Sequence, residues 1–156
     1  MNFRAIVSCL LIIIVSSCDP QRVYEENIDF EDALWTVDNV PEFTFEIKDT
    51  DVSYNIKINI RNSLSFPFHN IYLKYNLSDS LDQALISELK EYYLFDAKTG
   101  APQGNGLGDI FDNQFNLTED YSFSSPGMYT VDLQQSMRLD TLPMILSVGV
   151  RVEKKE

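Results

Sequence analysis

Val52-Ser53-Tyr54-Asn55-Ile56-Lys57-Ile58-Asn59-Ile60-Arg61 alternates apolar and polar residues from end to end. A strand sends successive side chains to opposite faces. A period of two held over ten residues therefore predicts a strand that buries Val52, Tyr54, Ile56, Ile58 and Ile60 and turns the polar set outward. A helix would scatter those five residues around its circumference. The same pattern runs upstream, where Phe43, Phe45 and Ile47 interleave with Thr44, Glu46 and Lys48. With Asp49-Thr50-Asp51 between them, the two runs read as a hairpin buried on one face.

Downstream, Ile71, Leu73, Tyr75 and Leu77 alternate with polar neighbours after a loop containing Pro67, which predicts a third strand. Leu81, Leu85 and Leu89 with Ala84 share one helical face and predict a turn or two of helix. Lys90 to Asp96 is strand-like again through Tyr92, Tyr93, Leu94 and Phe95. Pro102, Gly104, Gly106 and Gly108 then predict a loop from Gly100 to Asn113 without a regular element. Tyr121 and Phe123 precede a turn at Pro126-Gly127. Tyr129, Val131 and Leu133 alternate beyond it, and Leu146, Val148, Val150 and Val152 form a last strand. About seven to eight antiparallel strands separated by turns predict an all-β sandwich of jelly-roll or immunoglobulin-like type over residues 33–156.

The N-terminus is built differently. Arg4 is followed by an uncharged stretch from Ala5 to Val15, too short to cross the roughly 30 Å hydrocarbon core of a bilayer. Val15-Ser16-Ser17-Cys18 closes it and looks like a bacterial lipobox, so residues 1–17 read as a lipoprotein signal peptide and Cys18 as the lipidated first residue. Each buried acyl CH₂ contributes about 0.8 kcal/mol, and several chains together give a durable anchor. Residues 18–32, with Glu25, Glu26, Asp29, Glu31 and Asp32, read as an acidic tether able to reach roughly 45 Å when extended.

Composition removes several functional classes. Beyond residue 17 the chain carries eleven Lys and Arg against twenty-four Asp and Glu, which argues against nucleic-acid partners and against electrostatic adhesion to anionic lipid. Cys9 falls in the signal and Cys18 is acylated, so the mature domain has no free thiol for a disulfide or a Cys-ligated metal. His69 is the single histidine, and no serine sits in a nucleophile elbow, so the sequence predicts no enzyme and no cofactor. The run from Gly104 to Asn113 invites a Ca²⁺ reading, but its spacing is not that of an EF-hand loop and a structured turn is preferred. Trp35, Tyr92 and Tyr93 motivate an alternative function as a surface carbohydrate-binding lipoprotein. Arg138 and Asp140, spaced to share one strand face, join Asp109 and Asp112 as a candidate docking surface.

Several stretches taken together carry a resemblance. They are the lipobox at Cys18, Trp35 ahead of Phe43-Thr44-Phe45, Tyr54 through Arg61, and Phe66-Pro67-Phe68-His69-Asn70-Ile71. Further on come Lys98-Thr99-Gly100 running into Gly106-Leu107-Gly108-Asp109-Ile110-Phe111-Asp112, and Met137-Arg138 through Val148-Gly149-Val150-Arg151-Val152-Glu153. In these the chain resembles the GldH family of gliding-motility lipoproteins from Bacteroidetes. The resemblance implies a non-enzymatic envelope component that supports gliding, with partners in the gliding and type IX secretion apparatus. It brings no catalytic residues. It implies an envelope location, with the outer membrane expected and the inner membrane the alternative. Asp79-Ser80-Leu81 and Asp140-Thr141-Leu142 also look like the short O-glycosylation sites of exported proteins in these bacteria.

Overall fold

A computed structural model describes residues 19–155. The expected signal peptide over residues 1–17 and the expected lipidation site, Cys18, lie outside the described residues. Among the described residues there are eleven strands: β1 (Arg22–Asp29), β2 (Leu34–Thr36), β3 (Glu42–Ile47), β4 (Tyr54–Ser63), β5 (Asn70–Asp79), β6 (Ala84–Tyr93), β7 (Asn105–Leu107), β8 (Ile110–Tyr121), β9 (Gly127–Gln135), β10 (Thr141–Pro143) and β11 (Ile145–Lys154). Eight of them are six residues or longer. They form a five-stranded sheet in the order β1-β11-β4-β8-β7 and a four-stranded sheet in the order β3-β9-β5-β6, with β2 and β10 clipped together beside them.

The pairing is nested: β1 with β11, β2 with β10, β3 with β9, β4 with β8 and β5 with β6, all antiparallel. The chain is thus one long ribbon, tipped by the β5–β6 hairpin and wrapped so that, apart from the β2–β10 clip, successive pairs fall alternately in the two larger sheets. That is the jelly-roll arrangement, and it decides between the two sandwich types the alternation left open. Ile56, Ile58 and Ile60 of β4 and Val148, Val150 and Val152 of β11 face Phe43, Phe45, Leu73, Leu77, Val131 and Leu133 across the core, all at most 2% exposed. One end is closed by rings: Phe123 lies 4.4 Å from Tyr129, 4.9 Å from Tyr121 and 5.4 Å from Tyr54.

Four expectations need correction. The expected hairpin does not form, because β3 pairs β9 and β4 pairs β11 and β8, in opposite sheets. Both strands bury one face against the same core, so alternation alone cannot tell a sheet neighbour from a partner across the sandwich. The link from Lys48 to Ser53 is long enough to cross the roughly 10 Å between sheets. The helix expected around Leu81–Leu89 is the start of β6. Its pattern is blurred because β6 is an edge strand whose core-side positions include Glu88 and Lys90. Glu88 accepts a hydrogen bond from the Tyr75 hydroxyl, and Lys90 donates to the Leu117 carbonyl, sealing the open side of the sandwich.

The glycine-rich loop is a hairpin of β7 and β8 turning at Gly108 and Asp109. Gly108 has φ of +66°, and a Cβ on Gly106 would sit 2.2 Å from the Phe111 ring, so these glycines serve a tight turn and a close approach. Finally, most of the expected acidic tether is β1, paired along β11 from Arg22 to Asp29.

Candidate functional site

On the outer face of the five-stranded sheet, residues from different strands fall into register as rows. One row runs Asn27, Gly149, Asn59, Gln114, and the next runs Asp29, Ser147, Arg61, Asp112, Asn105. The strand period of two sends all of them outward because the alternate positions are core. All but Gly149 line a polar groove of about 440 Å³ in which Ile60 is the one apolar contributor. Gln114 Nε2 donates to Asn59 Oδ1 at 2.8 Å, while Asn59 Nδ2 reaches Glu25 Oε1 at 3.1 Å and Asn27 Oδ1 at 3.3 Å. Gly149 leaves the space over which the Asn27 amide lies. Arg61 Nε holds Asp112 Oδ1 at 2.8 Å, and that carboxylate is the main reason the guanidinium is shifted further toward its charged form.

A row further along, Arg151 binds Glu25 at 3.0 Å and Glu153 at 2.9 Å, and also pairs with Asp19. Burial alone pushes the Glu25 and Glu153 carboxyls up. Hydrogen bonds from Arg22 and Asn59 to Glu25, and from Lys57 and Arg151 to Glu153, outweigh it, so both end below the usual range. Asp19 is lowered chiefly by its bond from Arg151. A carboxyl whose folded value is depressed contributes stability that is present above its unfolded value and lost as pH falls through the folded one. Stability is therefore expected to fall as pH drops below about 5, through the lowered folded values of these carboxyls, and the fall should be smaller in Arg151→Met. Urea midpoints across that range measure it; an identical acid loss in the variant would remove the cluster from the account.

The outer side of the four-stranded sheet carries an apolar depression of about 390 Å³ lined by Phe68, Tyr72, Met137 and Leu139, with Arg138 and Ser136 at its rim. Beside it runs β6, one of the two edge strands of that sheet, with Leu85 and Leu89 exposed. A ten-residue edge with outward leucines is an open template for strand addition.

The four residues read as one docking surface are all exposed but do not form one site. Asp109 occupies the β7–β8 turn, where its carbonyl accepts from Leu64 N–H, and Asp112 is committed to Arg61 on the polar face. Arg138 lies in the bend after β9 beside the apolar depression, and Asp140, at the end of that bend, accepts from Val37 N–H. Neither Arg138 nor Asp140 is in a strand, which corrects the expected shared strand face. Asn113, the last member of the Ca²⁺ reading, is buried and donates to Asn62. Trp35 is fully buried, stacked on Phe30 at 5.1 Å and donating from Nε1 to the Asn39 carbonyl at 2.8 Å. Tyr92 is 7% exposed, so neither it nor Trp35 offers a stacking face, whereas Tyr93 is exposed and stacks on His69. Ser80 and Thr141 are both exposed. The amide row was missed because its members are distant in sequence; its one signal is the run of Asn and Lys at the outward positions of β4.

Fold and surface together define a single jelly-roll domain that presents a polar groove, an apolar depression and a free strand edge. A family model described as GldH lipoprotein matches residues 22–152, and the chain belongs to that family. A protein of Christiangramia forsetii named as a gliding motility lipoprotein GldH homolog is 30% identical, covering 99% of this chain and 97% of its own length. The gliding motility lipoprotein GldH of Flavobacterium johnsoniae is 29% identical over 94% of each. Among solved structures, the VP2 subviral particle of infectious bursal disease virus aligns with a TM-score of 0.41 at 8% identity; the match covers 83% of this chain and about a third, 32%, of that one.

Proposed function

We propose that this chain is a lipid-anchored protein of the cell envelope, acylated at Cys18 and seated in the outer membrane. There it supports gliding by protein–protein contact with the gliding and type IX secretion apparatus. It acts by binding, without catalysis. Family membership supports the anchoring and the link to gliding. The observation that carries the contact is β6, an edge strand that displays Leu85 at 39% exposure near its start and Leu89 at 62% nearer the end flanking the apolar depression around Tyr72. Solvated leucines on an unpaired edge favour an extended apolar segment of a partner, which would gain main-chain hydrogen bonds and bury the leucines together.

Leu85→Lys combined with Leu89→Lys keeps a solvated edge, so stability should change by no more than about 0.5 kcal/mol at each position. The variant should fold and reach the membrane yet fail to restore gliding to a strain deleted for the gene, and it should lose partners recovered with the tagged wild type. Normal gliding by that variant would remove β6 as the contact. Cys18→Ala should appear in the soluble fraction.

A further inference from the structure

Every loop at one end of the sandwich can be assigned from the register. Ile47 pairs Gly127, Tyr54 pairs Tyr121, Asp79 pairs Tyr129, and Arg22 pairs Glu153, which pairs Asn55. Residues 19–22, 48–53, 80–83, 122–126 and 154–155 therefore lie together at that end, while the β7–β8 turn and the bend holding Arg138 lie at the other. The first described residues are tied down there. Asp19 pairs with Arg151, Gln21 N–H bonds the Asp19 carboxylate at 3.2 Å, and the Gln21 carbonyl accepts from Lys154 N–H at 2.9 Å. Only four residue steps, at most about 14 Å of chain, separate Cys18 from Arg22 in β1.

From this we propose that the domain is held directly against the lipid headgroups by the end containing residues 48–53 and 80–83, with its opposite end facing away. The proposal rests on acylation of Cys18. A fourteen-residue tether would let the domain tumble above the bilayer; consuming its residues in β1 leaves no such slack. At this end Asp49 and Asp120 are paired with Lys154 and Lys155, and Asp51, Asp79 and Asp82 leave it slightly acidic rather than basic, so the covalent link and not charge brings it to the membrane. Strands of about ten residues place the far loops roughly 30 Å higher. The β7–β8 turn and the apolar depression with Arg138 then become the parts a partner above the membrane meets first.

Two leucines report on the two ends: Leu81, 84% exposed, in the β5–β6 turn, and Leu107, 91% exposed, at the β7–β8 turn. The mature chain has no other free thiol once Cys18 is acylated, so Leu81→Cys and Leu107→Cys accept one fluorophore each. The acylated full-length protein would be reconstituted in phosphatidylethanolamine–phosphatidylglycerol vesicles with nitroxide-labelled headgroups. The expected result is loss of most fluorescence at position 81 and none at position 107. Protein that fails to float with the vesicles would sink the anchoring itself. Floating protein with equal quenching at both sites would sink the orientation alone. A twelve-residue Gly-Ser insertion between Cys18 and Asp19, reaching up to about 40 Å, should equalise the two sites. If the difference survived the insertion, the short link would not be its cause.

Discussion

Trp35→Ala is expected to cost about 3–5 kcal/mol of stability, the range for removing a large aromatic side chain from a packed core. The indole is 0% exposed. It stacks on Phe30, sits in register with Leu142 across the β2–β10 clip, and satisfies the Asn39 carbonyl through Nε1. Alanine would leave a cavity between two apolar neighbours and remove that carbonyl's indole donor, two costs that add. For a domain of this size the melting temperature should fall by about 10–20 °C in a calorimetric scan. The same substitution separates a core residue from a sugar platform. An exposed stacking tryptophan can be truncated with little effect on melting and loses only its ligand, so a shift under about 3 °C would return Trp35 to the surface. Trp35→Phe, which keeps a stacking ring but not the donor, should recover most of the loss.

The sequence was most legible where one face of a strand is core and the other is water. The outward Ser53, Asn55, Lys57, Asn59 and Arg61 and the inward Tyr54, Ile56, Ile58 and Ile60 made β4 plain, and β5, β9 and β11 followed by the same rule. Edge strands lose that contrast. In β1 no residue is fully buried, so an eight-residue strand reads as an acidic tether. In β6 the inward side is shared by Glu88 and Lys90, which leaves Leu85 and Leu89 to suggest a helix. Nor does alternation carry information about partner choice. That is why β3 and β4 read as neighbours, and why the Asn27, Asn59 and Gln114 row, whose members come from three strands, could not be assembled beforehand. For the four docking residues, the sequence carries no sign that Arg61 claims Asp112 or that Arg138 belongs to a different surface.

Gly149→Val should be the most damaging change on the outer face, and for a reason propensity would get backwards. Valine is among the best strand formers and glycine among the worst, so an intrinsic scale predicts a gain of up to about 1 kcal/mol at a mid-strand position. Geometry predicts the reverse. A Cβ on Gly149 would sit 2.0 Å from Asn27 Oδ1 and 2.4 Å from the Glu26 carbonyl oxygen. The Asn27 amide can swing away, but the Glu26 oxygen is backbone of the paired strand, so relief requires β1 to move off β11. The expected cost is about 2–3 kcal/mol, as for overpacking a tight site. It should fall on β1 first, because β1 is an edge strand with little burial of its own. Hydrogen exchange should then show the amides of residues 22–29 unprotected while those of β4 and β5 stay slow. Adding Asn27→Ala discriminates further: it removes two of the three close contacts but leaves the backbone one, so the double variant should remain destabilised. Full rescue would mean that the clash is confined to side chains and that β1 stays docked. With β1 released, about eleven residues would lie between Cys18 and the rest of the sandwich, enough for a reach of nearly 40 Å. Gly149 would then be the residue that keeps a short link short, and quenching at Leu81 in the variant should fall to the level of the inserted linker.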